Sequence, residues 1–211
     1  MHRLLVLPAL ALVVLGIGGA AVAATVLRLE PVALAERSEL IFIGTVTDQK
    51  SVLQESPRQV FTETTFQVEQ VVKGEKQATF TLRQLGGTVG SGATLFGTAV
   101  PGYARFQVGE RVALFLERTD TGRLVVTGLA QGKYTLKTDP KTGVVWAERD
   151  LDGLHLVGRA PEKVFAGVPD AQRMTLDQLT GLASAKRPPA AAPKVLRTRQ
   201  VTLPAAPEGG R

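Results

Sequence analysis

Cysteine is absent, asparagine does not occur, and histidine appears only as His2 and His155. The first absence excludes disulfides, thiolate metal sites, iron–sulfur clusters and a cysteine nucleophile. The second excludes N-glycosylation. Aromatic residues are few, at eight Phe, two Tyr and one Trp. What remains is 44% hydrophobic and 21% charged, with 22 Gly and 12 Pro in 211 residues, a composition of globular rather than disordered or collagen-like chains.

One long apolar run occurs, over residues 4–17, after Arg3 and before the small residues Ala21-Val22-Ala23-Ala24. These are the three parts of a secretory signal, so residues 1–24 read as a signal peptide cleaved after Ala23 or after Ala24. The expected location is secreted or periplasmic. The alternative is an uncleaved inner-membrane anchor, because residues 4–24 nearly reach spanning length. No cysteine follows the run, which excludes a lipoprotein anchor.

The formal charge of +6 is unevenly placed. Of 25 Lys and Arg, 18 lie in residues 25–185, one in the signal and six in 186–211; of 19 Asp and Glu, 18 lie in 25–185 and one in 186–211. A neutral 25–185 lacks the electrostatic footprint of a nucleic-acid binder. Residues 186–211, rich in Pro and Ala, cannot bury enough apolar surface to fold alone and read as a disordered basic tail. That tail offers solubility and, at most, peripheral attachment to an anionic surface.

Two-residue periodicity dominates 25–185 and predicts a single mainly β domain. The run Leu40-Ile41-Phe42-Ile43-Gly44-Thr45-Val46 reads as a strand covered on both faces. Residues 60–72 alternate, with Thr64, Phe66, Val68 and Val72 expected on one face, and a return strand carries Phe80 and Leu82. Residues 112–116 and 124–129 predict a second hairpin, and 134–137 with 144–146 a third, turned through Asp139-Pro140-Lys141-Thr142-Gly143. About seven strands in sequence predict a closed barrel or sandwich. Pro31 opens a short helix expected to bury Val32, Leu34 and Ala35, and Thr175 with Gln178 forms a capping box before the stripe Leu176, Leu179, Leu182.

Catalytic signatures are thin. Ser91 lies between Gly90 and Gly92, but a nucleophile elbow needs glycines where Val89 and Ala93 stand. Residues 86–103 hold six glycines without the Lys-Ser/Thr of a phosphate loop. Asp150 and Asp152 precede His155 in a turn-like stretch that lacks the further ligands of a calcium loop. The expectation is therefore no catalytic residue, no cofactor and no metal. The partner-contact candidates are Thr25, near the mature N-terminus, and the aromatic or apolar Leu95, Phe96, Tyr103 and Trp146.

A helix, then Ser38-Glu39-Leu40-Ile41-Phe42-Ile43-Gly44-Thr45-Val46, then Phe61 to Gly74, then Gly109-Glu110-Arg111 leading into Leu114-Phe115-Leu116, resembles the bacterial secreted relatives of the tissue-inhibitor-of-metalloproteinases and netrin-like domains. The resemblance spans residues 29–134 and implies an OB-like barrel with flanking helices. It also implies a regulator or inhibitor of an exported metalloprotease. The animal inhibitors set an N-terminal disulfide-tied Cys over the protease zinc, and this chain has none. The leading expectation is a non-catalytic interaction module of the cell envelope or secretome, whose partner is an exported protein or a surface polymer.

Overall fold

A computed structural model describes residues 23–158 and 172–184; the expected signal up to residue 22 and the tail 186–211 lie outside them. The strands are β1 (Ala24–Leu27), β2 (Leu40–Glu55), β3 (Arg58–Lys73), β4 (Thr79–Leu85), β5 (Gly87–Val89), β6 (Phe96–Thr98), β7 (Arg111–Arg118), β8 (Leu124–Val126), β9 (Lys133–Thr138), β10 (Val145–Glu148), β11 (Leu154–Val157) and β12 (Arg173–Thr175). Two short helices, α1 (Pro31–Arg37) and α2 (Leu176–Ser184), complete a mainly β fold. None of the described helices is long and apolar enough to cross a membrane.

The main sheet runs β12-β10-β9-β7-β2-β3-β4, with β8 also paired to β7. Its end strands do not pair, so no closed barrel is found among the described residues. β8 and β9 occupy the same side of β7 one after the other, Leu116 pairing with Val126 and Leu114 with Lys133. They are one line of chain interrupted by residues 127–132, of which Leu129–Gly132 form a 3-10 turn. The expected strand 124–129 thus stops at Val126.

Both faces of the sheet are covered, because β2 and β7 alternate apolar residues on each side. On one face Ile41, Ile43, Ala113 and Phe115 pack with Tyr134, Met174 and the helix residues Leu34, Leu179 and Leu182. On the other, Phe42, Val46, Leu114 and Leu116 pack with Phe66, Leu82, Phe106 and Val126. Register shifts in the β2–β3 ladder leave Glu69 and Val72 of β3 and Thr47 of β2 without a direct partner. Each extra residue reverses the alternation. Val72 consequently packs on the helix side, not beside Phe66 and Val68 as the plain alternation predicts.

α1 buries Pro31, Leu34 and Ala35, an i, i+3, i+4 face, and leaves Val32 exposed, against the expectation that Val32 is buried. A seven-residue helix has room for only that one face. Its end is held by Ser38 Oγ donating to Leu34 O at 2.7 Å and Lys73 Nζ donating to Ala35 O at 2.8 Å. The capping box of α2 forms as expected, with Thr175 N–H donating to Gln178 Oε1 at 2.9 Å and Gln178 N–H to Thr175 Oγ1 at 3.2 Å.

Burial pushes the Tyr134 hydroxyl up to about 12 from 10.0, against a smaller opposing pull from the Arg149 charge. The folded state then holds its proton where the unfolded chain has released it. Stability from this group is full below pH 10.0 and falls as pH rises towards about 12. The melting temperature is expected to decline over that window, and Tyr134→Phe to flatten the decline; an unchanged slope in the variant would contradict this. The carboxylates work at the acid end. Hydrogen bonds from Arg111 hold Glu69 below its ordinary value, and hydrogen bonds from Arg118 and Lys137 do the same for Glu39 and Glu148.

Candidate functional site

β4 and β8 approach to within 8 Å between Cα atoms without pairing. Paired strands lie about 4.8 Å apart, so a seam remains open between them. Backbone groups line it. Gly86 N–H donates to Val60 O, and ladder bonds alternate, so the N–H and C=O of Arg83 and Leu85 point away from β3. Thr127 N–H donates to Phe115 O, and by the same alternation Leu124 and Val126 turn their backbone groups away from β7.

Along the seam lies a cleft of about 410 Å³ walled by Phe61, Leu85, Tyr103, Val125 and Leu129, with Arg83 and Arg123 at its edge. Leu129 is held there in the left-handed region, at φ 62°. For a branched side chain that conformation costs about 1–2 kcal/mol. Tyr103, Leu85 and Gln84 also border a second cleft of about 310 Å³ formed with Gly86, Thr98 and Phe106. Tyr103 therefore stands between two concave surfaces.

The glycine-rich stretch 86–103 is largely a built flap. β5 and β6 pair in antiparallel register, Gly87 with Thr98 and Val89 with Phe96, around a 3-10 turn at Gly92–Thr94. It is fastened to the β2–β3 ribbon by Thr88 N–H donating to Ser51 Oγ at 3.3 Å and by Thr62 Oγ1 donating to Gly86 O at 2.8 Å. Gly87 lies at φ 126°, and a methyl there would meet Thr62 Oγ1 at 2.5 Å, so only glycine fits. Leu95 is 60% exposed at its tip, while Phe96 is half-buried with the Arg58 guanidinium 4.8 Å from its ring centre.

After the flap, Lys133 Nζ and Glu110 Oε1, both largely buried, form an ion pair at 2.7 Å. Lys133 also donates to Arg105 O, and Thr135 Oγ1 donates to Glu110 Oε1 at 2.6 Å. The loop carrying Tyr103 is thereby pinned to β9.

Thr25 lies on β1, exposed, in parallel register with His155 of β11. The Asp150–Gly153 turn forms, with Asp152 N–H donating to Asp150 Oδ1 at 2.9 Å, but it joins no hairpin: β11 pairs with β1 instead. A methyl on Gly102 would meet Leu154 Cδ2 at 2.5 Å and Ala24 Cβ at 3.0 Å, so the start of β1 packs beside the Tyr103 loop. Trp146 stands apart from this group, in a cleft with Lys137, Asp139, Pro140 and Arg173, whose guanidinium lies 4.1 Å from its ring centre. Phe61 is buried under Arg83. Among the described residues no three His, Cys, Asp or Glu side chains are placed to hold a metal ion.

The chain was compared with protein-family models, curated proteins and solved structures. It matches none of them.

Gln131 escaped the sequence reading. Its Oε1 accepts Leu29 N–H at 2.8 Å, and its Nε2 donates to Leu27 O at 3.0 Å and Gly128 O at 3.2 Å. It ties the chain after β1 to the turn beside the seam. A lone Gln in a loop carries no sequence signal, because its partners lie about a hundred residues away in the chain. Gln131→Leu is expected to lower stability by about 1 kcal/mol, leaving part-buried backbone groups without that partner. It should also speed hydrogen exchange selectively at residues 24–29; uniform exchange across the domain would contradict the tie.

Proposed function

We propose that the protein is an exported, non-catalytic binding module that grips another exported protein or a surface polymer with the flap and the Tyr103 loop. The observation that carries this reading is the flap itself. A hydrogen-bonded hairpin with glycine-only backbone positions presents Leu95, 60% exposed, and Phe96 next to a cleft bordered by Tyr103. Exposed apolar and aromatic side chains on a preorganised element are the usual anchors of protein interfaces. Pairing of β2 with both β3 and β7, with β8 brought alongside β4, supports an OB-like barrel left open at one seam. It thereby supports the netrin-like resemblance. Export rests on the N-terminal signal pattern, and the basic tail adds at most peripheral surface contact.

A second reading, regulation of an exported metalloprotease, is favoured by the packing of Ala24 against Gly102, which places Thr25 and Tyr103 on neighbouring segments. Purification of the tagged protein from the native envelope and medium tests both. The full chain, a form lacking 186–211 and a Leu95→Ser/Phe96→Ser form are compared by mass spectrometry. A stoichiometric partner lost with the flap changes supports the binding module. A protease inhibited in one-to-one proportion and released by Thr25→Arg supports the second reading. Recovery unaffected by any change overturns both.

A further inference from the structure

We propose that the cleft along the β4–β8 seam is a separate binding site for an apolar monoanion, a hydrocarbon chain or ring bearing one carboxylate. Its volume of about 410 Å³ lies in the range of small-molecule sites, which are mostly apolar with a few placed polar groups. The width selects the occupant. Inserting a third strand between two others requires about 9.6 Å, and β4 and β8 come within 8 Å. A polypeptide strand does not fit at that approach, so the occupant lies on the apolar side chains that wall the cleft, Phe61, Leu85, Tyr103, Val125 and Leu129, rather than between the strand edges.

Charge decides the head group. Glu117, the one carboxylate on the cleft, is already occupied: Oε2 accepts Arg37 Nη2 at 2.8 Å and Oε1 accepts Gly128 N–H at 3.3 Å. The Arg83 guanidinium sits 4.1 Å from the Phe61 ring centre and, among the described residues, donates only to the neutral Gln54 Oε1, at 3.2 Å. Arg123 forms no ion pair among the described residues. Two exposed cations without a carboxylate partner among the described residues thus stand at the rim of an apolar-walled cleft, placed to give a charge-assisted bond to an anion. The left-handed Leu129 supplies one apolar wall, a locally unfavourable conformation that keeps its side chain on the cleft.

Calorimetric titration of the purified protein with decanoate, below its micelle concentration, tests the site. Decanol and decyltrimethylammonium serve as uncharged and oppositely charged controls. One-to-one saturation by decanoate is expected, with decanol at least tenfold weaker and the cation not bound. Arg123→Gln, an exposed change, is expected to weaken decanoate about tenfold or more and to leave decanol unchanged. Leu129→Gly places glycine where φ is positive, so the fold persists while the wall is lost, and weaker binding of both decanoate and decanol is expected. Equal affinity for decanoate and decanol, no saturation, or full affinity in both variants would overturn the proposal. Flotation with phosphatidylglycerol vesicles separates the sources: uptake by vesicles without binding of free decanoate also overturns it. None of these outcomes bears on the flap, so this site and the macromolecular reading stand or fall separately.

Discussion

Phe66→Ala is expected to destabilise the fold by about 3–5 kcal/mol. Phe66 is fully buried at the centre of an aromatic cluster, with ring centres 5.5 Å from Phe42 and 5.2 Å from Phe106, both edge-on. Removing it leaves a void walled by rigid rings on β2 and on the loop after the flap, and strands paired on both sides cannot collapse into it. Edge-to-face contacts worth about 0.5–1.5 kcal/mol are lost as well. Since a domain of this size is stable by about 5–15 kcal/mol, the variant retains a small margin or none. Urea denaturation checks this through the midpoint. A shift equivalent to less than about 1 kcal/mol would show that the cluster is not the core of that face.

Gly132→Ala is the second, and its cause is overpacking. A methyl at Gly132 would lie 2.7 Å from Thr127 O and 2.9 Å from Phe115 O. Both are backbone atoms of the junction where one line of chain divides into β8 and β9. They cannot yield without loss of the Thr127 N–H to Phe115 O bond, 2.9 Å long. Overpacking costs about 1–3 kcal/mol, and the lost ladder bond adds about 1 kcal/mol. The same strain should spread to the seam, so decanoate affinity is expected to fall in Gly132→Ala even where the protein remains folded. Gly181, on the exposed face of α2, supplies the contrast. A methyl there meets nothing within 4 Å, and Gly181→Ala is expected to stabilise by up to about 1 kcal/mol. Thermal melts of the two variants should therefore move in opposite directions; movement in the same direction would contradict the steric account.

Much of the local structure is legible in the chain. α1 begins at Pro31 because proline suits the first helical turn, and the Thr175–Gln178 box writes the start of α2 in side-chain chemistry. The central strands at Leu40 and Val112 are marked by unbroken apolar runs, and the turn at 139–143 by Asp, Pro and Gly. These signals act over a few residues, so the sequence carries them without reference to the rest of the molecule. Of the candidate site, Leu95, Phe96 and Tyr103 were visible as apolar or aromatic residues in a glycine-rich stretch. Thr25 was visible only through its place after the expected signal.

Tertiary structure decided the rest. Bulges at Glu69 and Val72 reverse the facing of β3 after Phe66, and no periodicity in residues 60–72 announces them, because a bulge depends on the partner strand's register. The parallel pairing of β1 with β11 joins segments more than a hundred residues apart, so neither strand betrays it. The open seam follows from three-dimensional closure: β8 ends after three residues and its continuation, β9, carries the sheet away to β10. Hence the composition and local patterns determined a mainly β chain with a neutral charge balance over 25–185 and a glycine-rich stretch at 86–103. Only packing decided where the sheet stays open, which cations remain without carboxylates, and that Tyr103 stands between two clefts, since each depends on contacts between residues far apart in the chain.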